Sequence, residues 1–295
     1  MEESEVIFQE VSFNGNVANF GAAVHLSDSE LNTFNSLFIH DNTANMIGVV
    51  YLLKSTANFD SETDFSGNSG SCLVFNSKAT FKGNTTFVNC SEQMRSHDTT
   101  EMQEGGALTI FKSVVIFYSA SVLMDNHAEN SGAIHATESK ITYMSEEATL
   151  AYNTANETGG GVYLDMSELH CQGNSSLKLL GNSATEKGGG VHAISLSINV
   201  NGHDNNTVNA NYSGSKLKFI KNEAEKGGGH HLEMNAKLYV LKSIPYNKPF
   251  DTVSFTSNSA DYGGAVYISD DYNSVTCSHQ YKFNSKAKDC FLQTL

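Results

Sequence analysis

The sequence predicts an all-β fold, a single-stranded right-handed parallel β-helix of about nine coils. A motif of one apolar residue, one asparagine and a glycine pair recurs nine times along the 295 residues. After the glycines, apolar residues alternate with polar ones, which is typical of a strand with one buried face. No stretch shows a sustained apolar period of 3.6 residues, so we expect almost no helix.

The motif is clearest in FTSNSADYGGAVYIS, residues 255–269, where an apolar residue precedes an asparagine by three positions. Two glycines begin five positions after the asparagine, and an alternating strand follows them. Aligning the copies on this asparagine gives nine positions, with cysteine at one of them: 16, 42, 68, 90, 126, 153, 182, 222 and 258. The clean spacing of 26 residues is too short for a propeller blade, which needs about 40 to 50.

Each copy is predicted to contain three short strands separated by three turns. The strand after the glycines places Val162 and Leu164, or Val266 and Ile268, on one face. A small polar turn residue follows that strand in most copies: Ser29, Ser55, Ser113, Ser139, Ser167, Asn235 and Asp271. Such a unit cannot bury its apolar side chains alone, so the units are expected to stack about 4.8 Å apart, over about 40 to 45 Å.

The asparagine and the apolar residue before it are predicted to be structural. Asparagines on successive coils can stack as a ladder, with each amide bonded to the next amide and to local backbone. The phenylalanines are expected to stack inside the core. These ladder positions are Phe13, Asn16, Asn42, Phe65, Asn68, Asn126, Asn153, Asn182, Phe219, Asn222, Phe255 and Asn258. The alternative is a ligand-binding role for the asparagines, which burial would prevent.

The glycine pairs are predicted to serve positions where φ is positive or where two coils approach too closely for a Cβ atom. These turn glycines are Gly105, Gly106, Gly159, Gly160, Gly188, Gly189, Gly227, Gly228, Gly263 and Gly264. A phosphate-binding loop is the alternative for Lys187 and the three glycines after it. Such a loop opens a helix, whereas this segment leads into a predicted strand.

Two tetrapeptides recur in fixed mutual register. FxxN occurs at residues 13–16, 65–68, 219–222 and 255–258, and Gly-Gly-Ala followed by Leu or Val occurs at 105–108 and 263–266. This pairing resembles the repeat region of the chlamydial polymorphic outer membrane proteins, and of related β-helix repeat proteins predicted in invertebrate genomes. Other copies are relaxed, with Leu or Ile for Phe and Gly-Gly-Gly for Gly-Gly-Ala. The resemblance implies an exported protein, extracellular or on the cell surface.

Charge and hydropathy exclude several classes of partner. The net charge of −14, with Arg95 as the only arginine, argues against nucleic acid and against an anionic membrane surface. No apolar run of about 18 residues occurs, and the acidic start does not fit a signal peptide. We therefore expect no direct membrane insertion by this segment, and no cofactor is predicted.

The repeat domain is expected to span residues 1–272 and to begin in mid-coil, as part of a longer chain. Residues 273–295 leave the repeat pattern and are predicted to form a tail, a cap or the start of a following module. Cys277 and Cys290 could form a disulfide there, across about a dozen residues. The odd number of cysteines, five, leaves the redox compartment undecided.

One column of residues follows the inward-facing position of the strand after the glycines, and alternation predicts that it faces solvent as a ladder of rings. The column is His25, Tyr51, Phe75, Thr109, His135, Tyr163, His192, His231 and Tyr267. The alternative is metal binding between His192 and His231, with His230 nearby. No carboxylate or cysteine stands at the same offset to complete a shell, so no metal site is predicted.

Three insertions, residues 91–104, 199–216 and 243–251, are expected to leave the stack as loops. The last two should project from the same side of adjacent coils, which makes them the first candidate surface for an unknown protein or glycan ligand. Tyr212 and Tyr246 are candidate contacts, and the alternative is variable loops that bind nothing. Asn205 and Asn211 are the best placed glycosylation acceptors, although the six sequons are about the number that chance would give.

The sequence thus predicts a non-catalytic structural, adhesion or recognition module. The alternative is a carbohydrate-active β-helix enzyme, a polysaccharide lyase or hydrolase, with candidates at His203, Asp204, Asp270 and Asp271. These residues lie in different coils without a basic partner, so no catalytic residue is predicted. An intracellular scaffold is a third possibility, which would fit five reduced cysteines and unmodified sequons.

Overall fold

The computed structural model describes residues 4–91, 105–145, 147–172, 175–194, 209–211, 216–234, 236–240, 252–269, 274–277 and 282–284. Within these ranges the chain forms 32 strands, numbered β1 to β32 in chain order, and no helix. Accordingly, the described segments include no helix that is long and apolar enough to cross a bilayer. The strands form three main parallel ladders.

The first ladder lies after the glycines and contains nine strands. They are β3 (Val24–Ser27), β6 (Val50–Leu53), β9 (Cys72–Phe75), β12 (Leu108–Phe111), β16 (Ile134–Thr137), β20 (Val162–Asp165), β24 (Val191–Ile194), β27 (His230–Glu233) and β30 (Val266–Ile268). Each strand pairs in parallel with the next, without a register shift. Corresponding residues of successive coils therefore lie directly above one another.

The second ladder follows the small polar turn. Its strands are β7 (Thr56–Phe59), β10 (Lys78–Phe81), β13 (Val114–Phe117), β17 (Lys140–Tyr143), β21 (Glu168–Cys171), β25 (Asn209–Asn211), β28 (Lys237–Val240) and β31 (Ser274–Cys277). The third ladder leads to the asparagine turn. Its strands are β8 (Thr63–Ser66), β11 (Thr85–Val88), β14 (Ser121–Met124), β18 (Ala148–Ala151), β22 (Ser176–Leu180), β26 (Lys216–Ile220), β29 (Thr252–Thr256) and β32 (Lys282–Asn284).

The first two coils join the second and third ladders. Strands β1 (Ser4–Asn14) and β4 (Ser29–His40) run through both ladders and pair with each other over most of their length. Short strands follow the asparagine turn in five coils: β2 (Val17–Phe20), β5 (Thr43–Ile47), β15 (His127–Ala128), β19 (Thr154–Ala155) and β23 (Ser183–Ala184). Each coil thus visits the three ladders in turn and returns one strand higher, so the fold is the predicted parallel β-helix.

The core is one continuous hydrophobic cluster along the axis of the solenoid. From the second coil onward, the apolar residue three positions before the ladder residue belongs to it, from Ile39 through Phe65 and Leu150 to Phe255, and these side chains are at most 2% exposed. In the first coil Phe13 is half-buried and Asn16 is exposed, because no earlier coil of the described residues covers them. Because parallel stacking places like positions together, each coil buries the apolar face of its neighbours.

Two of the three turns contain a residue with left-handed backbone immediately before the ladder residue. Before the asparagine position these include Asp41, Asp125 and Lys221, with φ of 53°, 55° and 54°. Before the serine position they include Lys54 and Lys112, with φ of 48° and 47°. The same turn geometry recurs from coil to coil, even where the residue is not glycine.

Strand pairing continues past residue 272. β31 pairs in parallel with β28, and β32 pairs in parallel with β29. The second and third ladders therefore extend into the segment that was predicted to leave the repeat as a tail or cap.

Candidate functional site

The asparagine ladder is a chain of side-chain amides whose hydrogen-bonding groups are all used within the ladder and its turns. The backbone N and Nδ2 of Asn153 both donate to Oδ1 of Asn182, at 3.1 and 2.9 Å. Asn153 Nδ2 also donates to the carbonyl oxygen of Leu123 at 2.9 Å. The same bonds link Asn182 to Asn222 and then to Asn258. Asparagines bonded in this way have no group left for a ligand.

A second ladder of hydrogen bonds is built from serines, and sequence analysis treated its members only as turn residues. The backbone N of Ser113 donates to Oγ of Ser139 at 3.1 Å, and Ser139 N donates to Ser167 Oγ at 3.0 Å. Each hydroxyl in turn donates to the carbonyl oxygen two residues earlier, as Ser139 does to Thr137 at 2.6 Å. Ser77, which the alignment omitted, occupies the same place.

In the second and third ladders, aromatic rings stack in two columns inside the core. Phe65 stacks on Phe87 with ring centroids 4.4 Å apart, and Phe219 stacks on Phe255 at 4.6 Å. The second column, which was not predicted, consists of Phe59, Phe81, Phe117 and Tyr143. Its members stand four residues after the ladder serines, a regular offset that the sequence contains.

The turn glycines divide into two groups by backbone geometry. Gly159, Gly188, Gly227 and Gly263 have φ between 62° and 67°. At Gly189 φ is not positive, but a Cβ atom would lie 2.3 Å from the carbonyl oxygen of Glu223 on the next coil. Comparable backbone contacts occur at the remaining glycines of this kind: Gly105, Gly106, Gly160 and Gly228.

The ring column of the first ladder is buried at three histidines and half-buried at Tyr163 and Tyr267, where we predicted a solvent-facing surface. His135, His192 and His231 are 5%, 1% and 1% exposed. Within this column only His25, at the first coil, is exposed. Alternation identifies the face on which a side chain lies, but not whether other parts of the chain cover that face.

The register also corrects one member of this column. Leu73, and not Phe75, pairs with Tyr51 and Thr109. Phe75 lies two positions further along, where it stacks on Phe111 with ring centroids 4.9 Å apart. The shortened copy around Asn68 has no glycine pair, so the alignment lost its reference point there.

Three potential metal ligands meet in the buried part of this column. His192 of β24 and His231 of β27 are directly paired, with ring centroids 4.8 Å apart and an interplanar angle of 26°. Glu233 follows His231 by two residues and lies on the same face. Its Oε2 is 3.1 Å from His192 Nε2 and 3.0 Å from Lys187 Nζ. Potential ligand atoms of the two histidines and the glutamate all lie within 4.8 Å of one another.

Glu233 does not stand at the same offset as the histidines, so the column pattern did not predict it as a ligand. A metal ligand need not share the column of its partners, because residues two apart on a strand point to the same side. The signal was present in the sequence as His-His-Leu-Glu at 230–233. Pairing of β27 with β24 brings Glu233 to His192, and no sequence offset encodes that contact.

Burial sets the protonation of this cluster. Removal from water lowers the pKa of His231 to about 3, so its imidazole is neutral at pH 7. The hydrogen bond from His192, followed by contact with Lys187, lowers the pKa of Glu233 to about 2. The cluster at neutral pH therefore holds two neutral imidazoles beside an ionised carboxylate, whose charge is matched by Lys187.

His230 points into the core, at the position that valine or isoleucine occupies in neighbouring coils. It is completely buried, and its ring centroid is 5.9 Å from that of Phe219. Its Nδ1 lies 3.2 Å from the carbonyl oxygen of His231, while Nε2 has no hydrogen-bond partner among the residues that the structure describes. Burial lowers the pKa of His230 to about 4.

Several predicted site residues cannot be placed. Tyr212, Tyr246, Asn205 and Cys290 lie outside the described residues, as do the catalytic candidates His203, Asp204, Asp270 and Asp271. Asn211 is in β25, and Cys277 is in β31. The binding loops, the glycosylation sites and the Cys277–Cys290 disulfide therefore stay predictions.

A shallow groove of about 500 Å³ runs beside the turn after the asparagine ladder. Its lining residues are Ser183, Ala184, Thr185, Glu223, Ala224, Glu225, Ser259, Ala260 and Asp261. The described lining has three carboxylates and no lysine, arginine or histidine to stabilise developing negative charge, which lyase chemistry requires.

Three cysteines are free thiols in the interior: Cys72, Cys90 and Cys171. Burial raises the pKa of Cys72 and Cys171 to about 12, and that of Cys90 to about 11. Cys90 replaces an asparagine, and its backbone N donates to Oδ1 of Asn126 at 2.9 Å. These thiols fill space in the core and are not activated nucleophiles.

Comparison with known proteins gives one match. Residues 252–269, which hold β29, Asn258, the last glycine pair and β30, match the Chlamydia polymorphic membrane protein repeat. The matched repeat belongs to a family of surface or outer-membrane-associated proteins. No curated protein and no solved structure matches the chain significantly. The match supports a repeat of this type, while the likeness to invertebrate proteins stays a prediction.

Proposed function

We propose that this chain is a non-catalytic structural and recognition module of an exported protein displayed at the cell surface. The observation that carries the proposal is the match of residues 252–269 to the repeat of a surface protein family. The matched segment is the asparagine turn of one coil with the strands before and after it, in a solenoid where eight earlier copies of the same turn precede it. The support therefore comes from a unit that is representative of the whole array.

The bonding of the repeated polar residues also favours a non-catalytic role. The ladder asparagines and serines direct their side chains to neighbouring coils. Specificity in a solenoid of this kind is carried by the residues that interrupt the repeat. We therefore propose that residues 199–216 and 243–251 contact a protein or glycan ligand.

Surface display can be tested on intact cells that express the full gene. Antibody against this chain should label cells that have not been permeabilised, and external protease should remove the label. Labelling that appears only after permeabilisation, together with five reduced cysteines, would contradict export and favour the intracellular scaffold.

Recognition is tested separately with the 295-residue chain as a soluble competitor. It should reduce attachment of the expressing cells to their target surface, and a variant with residues 199–216 replaced by a short Gly-Ser linker should not. Equal competition by both proteins would contradict the assignment of this insertion.

The enzyme alternative is tested by glycan cleavage. Polysaccharide cleavage by the chain that is lost in Asp270→Asn and Asp271→Asn variants would overturn the non-catalytic proposal. No cleavage is expected from the original chain.

A further inference from the structure

We propose that His192, His231 and Glu233 bind one Zn²⁺ ion that joins two successive coils. Two imidazole nitrogens and one carboxylate are a ligand set that zinc uses, with solvent at the fourth position. The site does not depend on the proposed surface function, because it follows from the contacts of β24 and β27 alone.

The distance between the ligand atoms of His192 and Glu233 suits zinc. Ligands about 2.0 to 2.1 Å from a tetrahedral ion lie about 3.3 Å from one another. His192 Nε2 and Glu233 Oε2 are already 3.1 Å apart, because a proton lies between them. An ion can take the place of that proton when His192 carries its hydrogen on Nδ1. The ring of His231 must then turn so that its plane and that of His192 converge on the ion.

His231 is a polar side chain without a partner. It is 1% exposed, and neither Nδ1 nor Nε2 has a hydrogen bond within the described part of the chain. Burying an imidazole in this state costs free energy that a hydrogen bond or a metal would recover. An aromatic ring without buried nitrogen atoms could occupy the same position without that cost, as the rings of Tyr163 and Tyr267 do in adjoining coils, edge-on to the histidines.

Lys187 competes with the zinc ion for the carboxylate of Glu233. Its Nζ is 3.0 Å from Glu233 Oε2, and its side chain is 28% exposed. The ammonium group can therefore move into solvent when a cation takes its place at the carboxylate.

Zinc affinity of the purified 295-residue chain can be measured by competition with a chromophoric chelator. The original chain is expected to bind one ion that the His231→Phe variant loses, with a fall in affinity of at least about 100-fold. His135→Phe is the matched control, because it changes a buried histidine in the same column two coils away. That control should bind zinc as the original chain does.

Two further variants separate ligands from their neighbours. Glu233→Gln should weaken zinc binding while it keeps a hydrogen-bond acceptor beside His192. Lys187→Met should tighten zinc binding by about tenfold, because it removes the competing cation. A purely structural cluster would show neither change.

X-ray absorption at the zinc edge tests the original chain, even if a variant fails to fold. Two imidazoles and at least one oxygen around the ion are the expected result. Fewer than two imidazoles, no zinc bound at micromolar concentration, or equal zinc affinity of the original chain and His231→Phe would overturn the site.

Discussion

A buried asparagine is stable in this protein because it meets the same residue above and below. Asn182 has no exposed surface, yet its Oδ1 accepts two hydrogen bonds and its Nδ2 donates two. A lone asparagine in an apolar core would carry a desolvation cost of about 1 to 3 kcal/mol for each unmet group. The turn conformation, repeated in register, supplies every partner.

Removing one member should leave its neighbours unsatisfied. We expect Asn182→Ala to lower the free energy of unfolding by about 3 kcal/mol or more, because two donors of Asn153 and the carbonyl oxygen of Leu150 lose their partner. Chemical denaturation would measure the change. Asn156→Ala is the control, since its side chain bonds Glu129 at the surface and should contribute less than about 0.5 kcal/mol.

Glycine is required here for two reasons, a positive φ at some positions and close approach of two coils at others. Substitutions can distinguish the two. Gly189→Ala places a Cβ atom against the backbone of Glu223 without a positive φ, so we expect a loss of about 3 kcal/mol or more from forced separation of two coils. Gly15→Ala meets no atom within 4 Å but has φ of 66°, so only backbone strain of about 1 kcal/mol is expected. Equal losses in the two variants, measured by thermal unfolding, would contradict this division.

At the scale of the element, the ladders hold the coils at a common spacing. Rings of Phe219 and Phe255 lie 4.6 Å apart and within 3° of parallel, close to the strand spacing of a sheet. The glycine segment of the next ladder lies against these rings, and a Cβ atom at Gly229 would be 2.7 Å from Phe255 Cδ1. The ring stack and the glycine turn therefore pack directly against each other, and a change in one would disturb the other.

Truncation of a stacked ring should be costly. We expect Phe219→Ala to reduce the free energy of unfolding by about 3 to 5 kcal/mol, because a completely buried ring leaves a cavity in a rigid stack. Phe34→Ala is the matched control, since that ring is 43% exposed on β4. Urea denaturation of the two variants should differ by more than about 2 kcal/mol, and similar losses would argue against a rigid stack.

For the whole molecule, the buried histidines couple stability to pH. His135, His230 and His231 have pKa values lowered to about 3, 4 and 3 by burial, whereas an exposed imidazole titrates near 6.5. The unfolded chain therefore binds more protons than the folded chain between these values. Stability is fully present above about pH 7 and is lost as pH falls below 6.5.

The expected loss is about 1.4 kcal/mol per pH unit for each of the three histidines between pH 6 and pH 4. The low pKa of Glu233 adds a loss in the same direction below its ordinary value of 4.5. Denaturation at a series of pH values, with a chelator present, would measure the slope. His135→Phe should reduce the slope by about 1.4 kcal/mol per pH unit, and a flat profile from pH 7 to pH 4 would contradict the assignment.

The repeat, the three strands of each coil and the inward-facing Phe and Asn positions followed from the sequence, because a solenoid uses the same residue types at the same place in every coil. Register errors arose where a copy was shortened, as at Leu73 and Phe75. The serine and aromatic ladders are also regular in the sequence, but a period alone does not show that the side chains touch. Each coil contacts its neighbours at nearly constant sequence separations, so the period of the sequence is enough to predict the fold.

The sequence by itself determined a parallel β-helix with buried ladders. Only the tertiary structure decided that the histidine column is covered and that Glu233 and Lys187 meet His192. The ladder positions repeat in the sequence because every coil needs them. The contact between Glu233 of β27 and His192 of β24 joins two different positions of the repeat and occurs once, so no period in the sequence reveals it. The candidate zinc site depends on such single contacts, and for that reason its chemistry became visible only after the coils were stacked.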